Sequence, residues 1–152
     1  MDASSSRFAI VAGRFNSFLS EPLLQGARGT LLQHGAKPEN ITVVHVPGSF
    51  EIPLTCKKLA ETRQYDAIIT VGAVIRGATS HYEHVTSELA KGIASVSLQF
   101  GIPVTFGVVT TETIEQAIER SGSKAGNYGS NAAAAAIEMI QVCRQIEEKG
   151  QR

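Results

Sequence analysis

Four short apolar runs constrain this 152-residue chain more than any other feature. They are "FAIVAG" (8–13), "ITVVHV" (41–46), "AIITVGAVI" (67–75) and "PVTFGVVT" (103–110). Each is rich in β-branched residues and nearly continuous in its hydrophobicity. A strand with one wet face alternates; a strand covered on both faces does not. The runs therefore predict a parallel sheet with helices on both sides. Helical spacing fills the gaps between them. Leu24, Ala27 and Leu31 share a face before Gly35, and Val85, Leu89, Ile93, Val96 and Phe100 repeat until Gly101. Ile137, Ile140 and Cys143 continue an alanine-rich last helix. Such alternation of strand and helix implies right-handed crossovers. There is no internal repeat, low-complexity tract or linker, so the reading is one α/β domain over 1–152, with 1–6 as a flexible tail.

Composition removes several classes of function. Lys+Arg and Asp+Glu balance at 14 each, which leaves no electrostatic footprint for nucleic acid or an anionic membrane. Cys56 and Cys143 are far apart and form no CxxC pair, so they read as small apolar residues in a reducing compartment. The start "MDASSSRFAIVAGRF" lacks a basic segment followed by a long apolar one, and no apolar run reaches the length of a membrane span. The expectation is a cytoplasmic protein.

Open α/β sheets bind ligands beyond the carboxyl ends of their strands. In this chain those ends lead into "GRFNS" (13–17), "PGSFEIP" (47–53), "GAVIRGATSH" (72–81) and "TTET" (110–113). Within the third, "SHYE" (80–83) fits a capping box, Ser80 capping the helix and Glu83 reaching back to it. That puts His81 in the first helical turn, where the macrodipole favours a neutral imidazole able to take or give a proton near pH 7. An ordinary helix residue is the competing reading, and for His84, a turn deeper, it is the preferred one. A metal site is disfavoured, because H-x-x-H lacks the i,i+4 spacing of H-E-x-x-H and no third ligand is near. His34, at a helix end, and His45, in a strand run, read as structural.

Other residues carry paired readings. Gly77, Ala78 and Thr79 form either a plain turn or an anion seat of backbone N–H groups at a helix start. Arg120 closes "TIEQAIER" and either complements a helix C-terminus or grips a phosphate with its fork. Phe15 is a core aromatic or a platform for a flat heterocycle, and Glu51 bonds a polyol or occupies a helix's first turn. "SGSKAGNYG" (121–129) is a glycine-rich turn without P-loop spacing, and GxGxxG is absent.

Taken together, "GRFN", "PGSFEIP", "GAVIRGATSHYEHV", "FGVVTTETIEQAIERSGSKAGN" and the alanine-rich tail resemble the 6,7-dimethyl-8-ribityllumazine synthase family of riboflavin biosynthesis, over about residues 7–148. The resemblance implies a flavodoxin-like domain with a four-stranded parallel sheet in the order 2-1-3-4. It also implies pentameric rings with active sites at subunit interfaces. The reaction it implies condenses 5-amino-6-(D-ribitylamino)uracil with 3,4-dihydroxy-2-butanone 4-phosphate, releasing water and inorganic phosphate, with no metal or organic cofactor. Carried over by position, Phe15 stacks on the pyrimidine, and Ser49, Phe50 and Glu51 line the site and bind the ribityl chain. Ala73, Val74 and Ile75 meet the ring edge, Ala78 and Thr79 seat the phosphate, and His81 transfers protons. Phe106 and Arg120 come from the neighbouring subunit, Arg120 on phosphate. Where many relatives have lysine after "AGN" this chain has Tyr128, leaving Arg120, with Lys124, as the cations for phosphate. The short "SGSKAGNYG" turn is compatible with a sixty-subunit icosahedral shell of twelve pentamers. Two alternatives stand beside this reading: a non-catalytic flavin-binding or shell-forming protein on the same scaffold, and a riboflavin synthase of similar fold.

Overall fold

A computed structural model describes residues 1–76, 82–123 and 126–150. The four apolar runs form β1 (Phe8–Gly13), β2 (Ile41–Val46), β3 (Ala67–Ile75) and β4 (Val104–Thr111). All pair in parallel in the order β2-β1-β3-β4, as the resemblance implies. Between and after them lie α1 (Ser17–Gln33), α2 (Ile52–Glu61), α3 (Tyr82–Phe100), α4 (Ile114–Arg120) and α5 (Tyr128–Gly150). Every residue of β1 and β3 is buried, whereas β2 and β4, the two edges, alternate in part with solvent. Full burial of both faces, expected of all four runs, holds for the two central strands, whereas the equally apolar edge runs keep partly exposed positions.

Two cores follow from this sandwiching. On one face Leu24, Ala27 and Leu31 of α1 and Ile137 and Ile140 of α5 pack on Phe8, Ile10 and Ile69. On the other, Cys56 of α2 and Leu89, Ile93 and Val96 of α3 pack on Ala9, Val11 and Ile68. Each fully buried Leu or Ile contributes about 1.5–3 kcal/mol, so the sheet is held rigidly between its layers. Burial pushes the Cys56 thiol up to about 12, which keeps it protonated and unreactive. Gly35 and Gly101 take positive φ (94° and 66°) just past α1 and α3, where a left-handed residue ends a helix.

Two regions differ from expectation. Residues 1–6, read as a tail, lie against the body: Ala3 is fully buried, and its N–H donates to the His34 carbonyl at 2.8 Å. The glycine-rich 121–129 segment contains a small antiparallel ribbon, β5 (Ser121–Ser123) with β6 (Gly126–Asn127). Gly122 and Gly126 supply its positive φ values, 116° and 79°. Among the described residues no helix is long and apolar enough to cross a membrane.

Candidate functional site

Three backbone segments meet beyond the carboxyl ends of β1, β2 and β3. Pairing between β1 and β2 continues past the strands, with Arg14 N–H donating to the Val46 carbonyl (2.8 Å) and Phe15 N–H to that of Pro47 (3.0 Å). This carries Phe15 clear of the core, so it is 61% exposed. Asn16 then turns the chain in a left-handed conformation (φ 61°), which asparagine tolerates better than most residues. Its carbonyl accepts from Leu19 and Ser20 to start α1, and its side-chain amide reaches the Ala73 carbonyl at 3.5 Å.

The second segment is a 3₁₀ turn, Ser49–Glu51, closed by Glu51 N–H on the Gly48 carbonyl (3.2 Å). It sits directly on β3, because a Cβ at Gly72 would stand only 3.1 Å from Ser49 Oγ. Glu51 Oε1 and Phe15 Cβ both flank Gly48, at 3.4 and 4.0 Å from where its Cβ would be. The third segment is the end of β3 itself, Ala73, Val74 and Ile75, paired with Val109, Thr110 and Thr111 of β4.

Together they line an open recess of about 160 Å³, with Val85 of α3 closing one side. Its character is apolar with a few polar groups, the usual make-up of a ligand site. Phe15 and Phe50 stand 61% and 57% exposed beside it, and paired exposed aromatics mark a binding surface. Glu51 is the one charged residue among the described lining. The volume is small, since sites for drug-sized ligands span roughly 300–1,000 Å³. Among the described residues the recess therefore falls below that range.

The structure thus brings together Phe15, Ser49, Phe50, Glu51, Ala73, Val74 and Ile75. Ala78, Thr79 and His81 lie outside the described residues, as do Ser80 of the expected capping box and Lys124. The Glu83 carboxylate of that box bonds Arg76 at 3.2 Å, and Arg76 also reaches Glu112 at 3.2 Å. Arg76, just past β3, thereby ties the start of α3 to the end of β4 by charge-assisted bonds. Exposed pairs of this kind each contribute about 0.2–1 kcal/mol. His84 is exposed and does not line the recess. His34 Nδ1 is 2.9 Å from the Thr30 carbonyl at the end of α1, and His45 lies in β2.

Phe106 and Arg120 stand apart. Phe106 is 42% exposed on edge strand β4 opposite Thr70, three positions before Val109, the partner of Ala73. Arg120 ends α4 with its guanidinium carbon 5.9 Å from the ring centroid of Tyr128. Neither lines the recess. Asn16, Gly48 and Val85 do line it and were missed by sequence reasoning. Asn16 had a signal, an αL-tolerant residue directly after a strand-end Phe, whereas Val85 looked like any other core residue of α3. No group of three His, Cys, Asp or Glu side chains that could hold a metal is found among the described residues.

Recess, sheet order and strand-end loops coincide with a match along the sequence. The family model for 6,7-dimethyl-8-ribityllumazine synthase covers residues 5–144, nearly the whole chain and all the segments that build the recess. The chain belongs to the 6,7-dimethyl-8-ribityllumazine synthase family.

Proposed function

We propose that this chain is a transferase that condenses 5-amino-6-(D-ribitylamino)uracil with 3,4-dihydroxy-2-butanone 4-phosphate to give 6,7-dimethyl-8-ribityllumazine, in the cytoplasm and without a cofactor. The observation that carries the proposal is the recess. Phe15, Ser49, Phe50, Glu51 and the end of β3 form one surface at the strand ends of a chain of this family. An exposed ring beside a carboxylate suits a flat heterocycle that bears a polyol. Phe15 stacks on the pyrimidine, Ser49, Phe50 and Glu51 take the ribityl chain, and Ala73, Val74 and Ile75 border the ring edge.

The chemistry needs placement and proton traffic more than a strong nucleophile. The pyrimidine's primary amine adds to the butanone carbonyl, and water leaves to form a Schiff base. Phosphate is then eliminated. The enol left by that elimination tautomerises to a ketone, the ribitylamino nitrogen closes the second ring onto this new carbonyl, and water leaves again. His81 relays protons in these steps, and Ala78 and Thr79 offer backbone N–H groups to the phosphate. Arg120 and Phe106, absent from the recess of their own chain, complete that of a neighbour in a head-to-tail pentameric ring. The patches suit such a ring. Phe15 and Phe50 are exposed at the recess, Phe18 on α1 and Leu54 on α2, and Phe106, Ile114 and Ile118 along β4 and α4.

Purified protein supplied with both substrates tests the proposal. Lumazine and phosphate should appear in equal amounts. Failure to form lumazine, or formation of riboflavin from lumazine alone, contradicts it.

A further inference from the structure

The Arg120 guanidinium lies over the ring of Tyr128. In the ribbon that follows α4, Ser121 pairs with Asn127. The residues immediately outside that pair, Arg120 and Tyr128, are therefore brought face to face, and the guanidinium carbon lies 5.9 Å from the ring centroid. That is within reach of a cation–π contact.

The two partners are anchored very differently. Tyr128 is half-buried and packs against the core on the α1 and α5 side. Its neighbour Asn127 is fixed at both ends of its amide: Oδ1 accepts from Ser130 N–H (3.0 Å), and Nδ2 donates to the Pro22 carbonyl (3.0 Å). The fit is close, since a side chain at Gly129 would run into the Leu23 carbonyl. Arg120, by contrast, ends a seven-residue helix, is half-exposed, and has no carboxylate within 4.0 Å among the described residues. A long side chain so placed loses much rotamer entropy when it binds an anion. A carboxylate partner would restrain it but also neutralise it. An aromatic face restrains it and leaves the charge and the N–H fork available.

We infer that Tyr128 is a positioning residue that pre-orients the Arg120 guanidinium for the substrate phosphate. The inference rests on the assignment of Arg120 to phosphate. Losing the ring should raise KM for the butanone phosphate about two- to fivefold, the strength expected of an exposed cation–π contact. It should leave kcat and KM for the pyrimidine unchanged.

The test uses the assembled enzyme and a mutant cycle. Tyr128→Leu and Tyr128→Met both remove the ring, and methionine fills much of the same space if leucine impairs folding. Tyr128→Phe keeps the ring and should behave as the parent. In an Arg120→Ala background, removing the ring should add nothing. The inference is overturned if the ringless variants match the parent, if they act equally in both backgrounds, or if phenylalanine is as harmful as leucine. If Arg120→Ala itself leaves KM for the butanone phosphate unchanged, the phosphate assignment has failed, and that result is distinct from the others.

Discussion

The rim beyond β1–β3 and the edge beyond β4 contrast in what each can do alone. The rim is assembled by local necessity: strand pairing runs on to Phe15, Asn16 turns the chain, and Gly72 lets Ser49 settle onto β3. It forms a recess with two exposed aromatics, and Glu51 is the sole charge on its described lining. The edge has the complementary assets. It presents Phe106 and a guanidinium held by Tyr128, and neither residue reaches the recess of its own chain. On the proposed function, a site divided between these two regions would couple catalysis to assembly.

That contrast can be broken by substitution on either side. The largest effect is expected from the proposed proton-transfer residue: His81→Ala should lower kcat by ~10²-fold, the low end for a positioned acid–base group, because amine and ketone already react readily. His84→Ala should do less, since His84 is exposed outside the recess. Steady-state kinetics on two equally stable variants checks this, and greater damage from His84→Ala would reverse the roles. On the edge, Arg120→Ala should raise KM for the butanone phosphate by ~10–100-fold, the range of a charge-assisted bond. Arg120→Lys should recover only part, keeping charge but not the fork. A raised KM for the pyrimidine instead would move Arg120 to the other substrate. The smallest effects compare the two regions directly. Phe15→Ala and Phe106→Ala should each raise KM for the pyrimidine by ~2–10-fold, the scale of one aromatic contact. Phe15 is mostly exposed, so its loss should leave thermal stability within a degree or two of the parent. An unchanged pyrimidine KM for Phe106→Ala would confine pyrimidine binding to the rim.

How legible all this was depended on whether the cause was local. The strands could be read because β1 and β3 are buried on both faces and carry unbroken apolar runs, and Gly35 and Gly101 announced the ends of α1 and α3. The rim followed from the rule for strand ends, which picks out the short segment after each strand although the three segments lie far apart in the sequence. What escaped depends on partners distant in sequence. Glu83 of α3 bonds Arg76, seven positions back, a contact that spacing did not suggest. Ala3 is buried through His34, which nothing in "MDASSS" foretells. Asn127 looked like part of a glycine-rich turn, yet it bridges to Pro22, 105 positions away. Phe15 was ambiguous between core and platform until its exposure was known.

Whether one site draws on two chains is tested most directly by complementation. One variant carries His81→Ala and the other Arg120→Ala, and the two are unfolded together and refolded at equal ratio. With random placement each half of a site is intact with probability one half, so about one quarter of the sites should recover parental activity. Separately refolded controls set the baseline. Activity of the hybrid rings near a quarter of the parent is the predicted result; activity no higher than the controls' average, in rings shown to be mixed, would mean that Arg120 serves its own chain.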